Sequence, residues 1–90
     1  MSHTQQQQRQ LIARLRRIKG QLDGVERALE ADAPCAEVLR QLASARGALS
    51  GLTTQVLQDH LQEHVVDAPT EADRQAGGKE LMNVLRMYMK

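Results

Sequence analysis

The sequence predicts an all-α fold of three helices, and two observations predict it: the composition and the spacing of apolar residues. The 90 residues include no Trp, no Phe and a single Tyr, so aliphatic and methionine side chains must form the core. Apolar residues recur at helical spacing in three segments, and no segment alternates as a strand does. We therefore expect one domain over residues 1–90. A chain of this length buries a small core, so a partner or a metal is expected to add stability.

The first helix should span about residues 5–30. Thr4 followed by Gln7 fits a capping box, in which each side chain bonds the other residue's backbone N–H. His3 would then lie just before the first turn. The apolar residues are spaced alternately by four and three, as in a helix packed along a helical seam: Leu11, Leu15, Ile18, Leu22, Val25 and Leu29.

The second helix should span about residues 34–66, antiparallel to the first. Asp32 is expected to cap its start, and Pro34 is tolerated only in a first turn. A third, short helix should span about residues 71–89, with Gly77 and Gly78 as a point where it could fray or break.

A metal site is predicted from the histidines and the single cysteine. His60 and His64 are four residues apart, so their imidazoles leave one helix face close enough to chelate one ion. Cys35 precedes His60 by 25 residues, about 37 Å along a continuous helix, so one chain cannot join them. Two antiparallel copies of helix 2 would place Cys35 of one protomer beside the histidines of the other.

His3 completes this predicted ligand set. Helix 1 folds back along helix 2, and equal distances from the turn set residue 3 opposite residues 61 and 62. One thiolate and three imidazoles suit Ni(II) or Co(II), which we favour, or Zn(II), better than Cu(I). Glu63 is a candidate for an additional ligand of a six-coordinate ion.

A basic face on helix 1 predicts an anionic partner. Residues 1–22 contain no acidic residue but include Arg14, Arg17 and Lys19, together with Arg9 and Arg16. These side chains can contact phosphates. Because aromatic residues for base stacking are nearly absent, double-stranded DNA is a better match than a single strand.

Cellular context and enzymatic activity can also be judged from the sequence. The N-terminus lacks the apolar stretch of a secretory signal, no segment is long and apolar enough to span a membrane, and Cys35 has no intrachain disulfide partner. These features favour the cytoplasm. Cys35 and His60 could suggest a nucleophile and a base, but no orienting acid or oxyanion donors accompany them, so we expect no enzyme.

Several segments together resemble the CsoR/RcnR family of metal-responsive repressors over nearly the whole chain. They are residues 14–21 (RLRRIKGQ), Cys35 with Val38 and Leu39, residues 45–52 (ARGALSGL), and the pair His60 and His64. The resemblance implies an all-α protomer, dimers that pair into disc-like tetramers, and binding to operator DNA in the apo form. It also implies that the effector metal releases the DNA and so derepresses an efflux gene.

The family's subgroups differ at the ligand positions. His3, Cys35, His60 and His64 match the nickel and cobalt type, whereas copper sensors carry a second cysteine where this chain has His64. Arg14 and Arg17 match the family's DNA-contact positions, and Lys19 is an addition to them. Ser50 replaces an asparagine that is common in the family.

Two alternatives stay open on the sequence. One is the formaldehyde-responsive branch of the family, in which the aldehyde would join Cys35 to the N-terminal amine. His3 and His64 argue against it, as does Ser2 where that branch has a proline. The other is a helical adaptor without a ligand, which would explain the apolar seam but not the four metal-ligand candidates.

Overall fold

The computed structural model describes residues 4–89. Their elements are α1 (Gln5–Glu30), α2 (Cys35–Leu61), a five-residue π-helical turn (Gln62–Val66), here called the π turn, and α3 (Glu71–Tyr88). None of these described residues is in a strand. The predicted three-helix, all-α fold is confirmed. The chain divides into two compact units, Thr4–Thr53 and, of the described residues, 54–89.

The start of α1 has the predicted capping box. The Thr4 hydroxyl accepts a hydrogen bond from the Gln7 backbone N–H at 3.1 Å, and the Gln7 side-chain oxygen accepts one from the Thr4 N–H at 2.9 Å. Two backbone donors that a helix start leaves unpaired are thereby satisfied. His3, the residue before this cap, lies outside the described residues.

The end of α1 corrects our expectation for Asp32. This residue does not cap the start of α2; it adopts a left-handed backbone with φ of 53° and ends α1. Its N–H donates to the Leu29 carbonyl at 3.2 Å, and the Ala33 N–H donates to the Ala28 carbonyl at 2.9 Å. These two bonds form a Schellman motif, which reverses the chain by placing one residue in the left-handed region.

In the unit Thr4–Thr53, α1 and α2 run antiparallel. Space above Gly24 is bounded by the Gln41 side chain, whereas space above Gly51 is bounded by the Arg14 guanidinium. Lower numbers on α1 therefore lie beside higher numbers on α2. Ile18, Val25 and Ala45 are buried, and they form the apolar centre of this unit.

The heptad pattern on α1 separates into two rows in the structure. Ile18 and Val25 are buried, but Leu15, Leu22 and Leu29, also seven residues apart, are 45%, 49% and 60% exposed. Leu42 and Leu49 form a similarly exposed row on α2. On each helix, therefore, one row of apolar residues stays exposed within residues 4–89.

The second unit contains the end of α2, the π turn and α3. Thr70 caps α3 by accepting from the Asp73 N–H at 3.1 Å. Helix α3 continues through Gly77 and Gly78 without a break, and Gly77 is buried. No helix among residues 4–89 has the length and apolarity that a membrane span requires.

Candidate functional site

The imidazoles of His60 and His64 lie side by side. Their ring centroids are 4.7 Å apart, and the ring planes are tilted by 42°. His60 belongs to the last turn of α2 and His64 to the π turn, and both are half-buried. The two rings of the predicted pair are therefore adjacent.

The orientation of the His60 ring is fixed by α3. Its Nε2 lies 3.2 Å from the backbone carbonyl oxygen of Gly77 and 3.8 Å from a carboxylate oxygen of Glu80. Because a carbonyl oxygen can only accept, Nε2 must carry the hydrogen and donate it. In the neutral imidazole Nδ1 then keeps its lone pair for a metal. Metal-binding histidines are commonly oriented in this way, by a carbonyl or carboxylate on the other nitrogen.

His64 borders a cavity with an acidic lining. The cavity has a volume of about 290 Å³, and Glu63, Asp73 and Glu80 contribute carboxylates to its wall. Glu63 itself is exposed on the π turn. The electrostatic environment on this side of His64 therefore favours a cation.

Among residues 4–89, the predicted ligands do not form a metal site. Cys35 is exposed at the first position of α2. Among residues 4–89, no group of three or more His, Cys, Asp or Glu side chains is close enough to hold a metal. The described chain therefore brings together His60 and His64 alone, and His3 lies outside the residues described.

A basic groove lies between α1 and α2 in the unit Thr4–Thr53. It has a volume of about 370 Å³ and is lined by Arg14, Arg17, Ile18, Gln21 and Ala48. Arg14 is half-buried, whereas Arg17 and Lys19 are exposed. Two guanidinium groups beside the Gln21 amide give this groove the donors that suit a phosphate.

Glycine creates the space for the Arg14 side chain. A Cβ built on Gly51 would lie 2.8 Å from the Arg14 Nη2 atom, whereas one built on Gly47 would meet nothing within 4 Å. The guanidinium therefore lies directly against the α2 backbone at Gly51. Any larger residue at this position would displace it.

Sequence reasoning missed four contributors to these two sites. Gly77 and Glu80 orient His60. Gln21 lines the groove beside Arg14, and Gly51 leaves room for the Arg14 side chain. The available signal was the four-residue spacing of Gly47 and Gly51 on α2, since glycine permits close backbone approach. Nothing in the sequence distinguishes Gly77, which is in close contact, from Gly78, which has open space above it.

A small all-α chain with an imidazole pair in one unit and a basic groove in the other has the features of a ligand-responsive helical regulator of DNA. The model of the family described as metal-sensitive transcriptional repressor matches residues 7–87. The chain belongs to this family, whose members are oligomeric repressors that bind operator DNA and are not enzymes.

Comparisons with individual proteins agree with this membership. The transcriptional repressor RcnR of Salmonella typhimurium is 39% identical over 90 residues, covering 100% of both chains. A variant of the formaldehyde-responsive regulator FrmR from Salmonella enterica serovar Typhimurium is 36% identical with a TM-score of 0.90, covering 97% of this chain and 99% of the other. The copper-sensing repressor CsoR with Cu(I) from Geobacillus thermodenitrificans is 29% identical with a TM-score of 0.91, covering 100% and 94%.

Proposed function

We propose that this repressor binds double-stranded operator DNA without metal and releases it when Ni(II) or Co(II) binds, so that a metal efflux gene is derepressed. The observation that carries the proposal is the His60 and His64 pair, with 4.7 Å between ring centroids and the His60 Nδ1 left free. Both imidazoles belong to one segment and can chelate a single ion. We propose that the protein acts in the cytoplasm and that residues 1–90 form one functional domain.

The choice of metal rests mainly on His64. With His3, Cys35 and His60 it gives a donor set of three imidazoles and one thiolate, which suits borderline divalent ions such as Ni(II), Co(II) or Zn(II). A second thiolate in place of His64 would favour Cu(I). Glu63 on the π turn adds a carboxylate that could complete the coordination of a six-coordinate ion.

Cys35 would join this site from a second copy of the chain. It is exposed, and on a helix it is about 37 Å from His60 of its own chain. We propose an antiparallel dimer in which each site takes Cys35 from one protomer and the histidines from the other. Two such dimers would form the tetramer, so that ligand binding and assembly depend on each other.

The exposed leucine rows support this assembly. Leu15, Leu22 and Leu29 on α1 and Leu42 and Leu49 on α2 are each more than 40% exposed, although their spacing by seven is typical of helix packing seams. Rows of this length that stay exposed in one chain indicate a protein partner. A second copy is the partner that the ligand geometry already requires.

DNA would be bound at the basic groove. Arg14 and Arg17 would bond phosphate oxygens there, and Lys19 would add a contact outside it. Release by metal requires that the metal-bound conformer has lower affinity for DNA than the apo conformer. We propose that binding through His3 orders the start of α1 and so moves Arg14 and Arg17 out of the geometry that fits DNA.

A metal titration of the reduced protein tests this function. Ni(II) or Co(II) should produce thiolate charge-transfer absorption and reduce operator affinity in a buffer with controlled free metal. Cys35→Ala and His60→Ala should abolish both effects and retain DNA binding. Unchanged operator affinity at saturating Ni(II) and Co(II) would refute the proposal.

A formaldehyde-responsive repressor is the second candidate. The structural similarity to the FrmR variant and the exposed thiol of Cys35 favour it, since formaldehyde could bridge that thiol and the N-terminal amine. The same DNA-binding assay with formaldehyde and a chelator separates the two inducers. The adaptor without a ligand is set aside, because the family is one of metal-sensitive repressors.

A further inference from the structure

The π turn that carries His64 is an unusual backbone segment. The Asp67 N–H donates to the Gln62 carbonyl at 2.8 Å, a bond that spans five residues instead of the four of an α-helix. Such wide turns are rare, short and often located at functional sites. A segment that departs from the α-helical pattern needs contacts from elsewhere to hold it.

Gly77 provides the first of these contacts. A Cβ at this position would overlap the backbone carbonyl of His64, and it would also lie 2.9 Å from the His64 Cβ. The backbone of α3 therefore approaches the π turn more closely than any residue with a side chain allows. At the neighbouring Gly78 a Cβ would meet nothing within 4 Å, so only the first glycine of the pair has this role.

Arg74 provides the second contact, one turn earlier on α3. Its Nε donates to the Val65 carbonyl at 3.0 Å, and its Nη2 donates to the Ala68 carbonyl at 3.5 Å. Its Nη1 donates to a Glu71 carboxylate oxygen at 2.7 Å, which holds the guanidinium in place. Arg74 therefore satisfies carbonyl groups that the end of a helical segment leaves without partners.

We propose that Gly77 and Arg74 are positioning residues for His64, which hold the π turn in the register that sets the His64 ring against His60. Neither residue would contact the metal. Gly77 allows α3 to approach the π turn this closely, and Arg74 fixes the end of that turn. The proposal rests on the proposed function only in assigning His60 and His64 as ligands.

The test compares Gly77→Ala with Gly78→Ala in the full-length protein. Both substitutions replace a glycine of α3 by a better helix former, so they differ chiefly in the contact with His64. In the apo protein, nuclear Overhauser contacts between the two imidazole rings should be lost in Gly77→Ala and retained in Gly78→Ala. Nickel affinity, measured by competition with a chelator, should fall at least about tenfold in Gly77→Ala alone, as for changes around metal ligands.

Arg74→Lys is the second variant, in case Gly77→Ala does not fold. It keeps the charge and loses the paired donors to the carbonyls, so we expect the same two effects in smaller measure, with operator affinity of the apo protein unchanged. Ring contacts and nickel affinity equal to those of the original protein in both variants would overturn the proposal. If the original protein does not bind Ni(II), the proposed function fails, and the ring contacts alone then decide whether the positioning role is correct.

Discussion

The Arg14 guanidinium lies against the backbone of α2 at Gly51, where a Cβ would come within 2.8 Å of its Nη2 atom. This contact joins the basic face of α1 to α2, and the same arginine lines the groove together with Arg17 and Gln21. Arg14 is half-buried here, and we expect its guanidinium to bond a phosphate from this position.

Gly51→Ala should therefore weaken operator binding, with Gly47→Ala as its matched control. Both changes raise helix propensity by about 1 kcal/mol, but only the first displaces Arg14. We expect a several-fold loss of DNA affinity in Gly51→Ala and none in Gly47→Ala, measured by fluorescence anisotropy. In the background Arg14→Ala, Gly51→Ala should have no further effect, and an equal loss in that background would contradict the proposed positioning.

Arg14→Ala should lower operator affinity by about tenfold, the effect of losing roughly 1.5 kcal/mol of charge-assisted hydrogen bonding. The slope of log affinity against log salt should decrease by about one for each phosphate contact removed. Nickel affinity should stay the same. An unchanged salt slope in both Arg14→Ala and Arg17→Ala would show that the groove does not contact DNA.

Replacement of one exposed leucine row should dissociate the oligomer. Leu22→Glu places a charge in a row that we assign to the contact between copies, and burying it there would cost several kcal/mol. Ser44→Glu adds the same charge at an exposed polar position of α2 and serves as the control. Sedimentation velocity should show a smaller species for Leu22→Glu only; identical profiles for the two variants would rule out this row as an interface.

The turn after α1 predicts opposite effects of two substitutions at Asp32. Its φ of 53° favours glycine, so Asp32→Gly should leave stability equal or raise it. Asp32→Val should lower the free energy of unfolding by about 1 to 2 kcal/mol, because a β-branched residue is strained in the left-handed region. Urea unfolding at one fixed protein concentration measures both; a stabilised valine variant would be inconsistent with this backbone.

Stability should also depend on pH through Glu71. Hydrogen bonds from Gln75 and Arg74 hold the pKa of its carboxyl below its ordinary value near 4.5. A lowered pKa in the folded state means that the carboxylate stabilises the fold above that value and that this stabilisation is lost as the pH falls through the lowered pKa. Glu71→Gln should therefore reduce the acid sensitivity of thermal unfolding below about pH 4.5, and an unaltered acid limb would argue against these contacts.

Local chemistry made much of the fold predictable. The Thr4 and Gln7 capping box depends on neighbouring residues alone, and α1 begins where it indicates. The apolar periodicity and the proline before Cys35 are local signals of the same kind. The prediction that Asp32 caps α2 is wrong because aspartate suits both a helix start and a left-handed helix end. The choice between them depends on the direction in which the chain leaves the turn.

The candidate site was predictable only in part, for a related reason. The spacing of His60 and His64 follows from helical geometry, but the π turn depends on α3, whose contacts at Gly77 and Arg74 are distant in sequence. Gly77 and Gly78 predict a possible break in α3, yet the helix continues through both. Gly77 instead allows the backbone of α3 to approach the π turn closely. The apolar residues of the α1 seam look alike in sequence, although Ile18 and Val25 are buried while Leu15, Leu22 and Leu29 are exposed.

The glycine contacts at Arg14 and at His64 lie in different units of the chain, Thr4–Thr53 and 54–89. Substitutions that alter the imidazole pair therefore need not change the residues that form the basic groove, and the reverse also holds. In a lineage of such repressors, changes around the π turn could alter inducer recognition while binding to the inherited operator is retained. The separation of the two glycines thus gives natural selection two traits that it can modify independently.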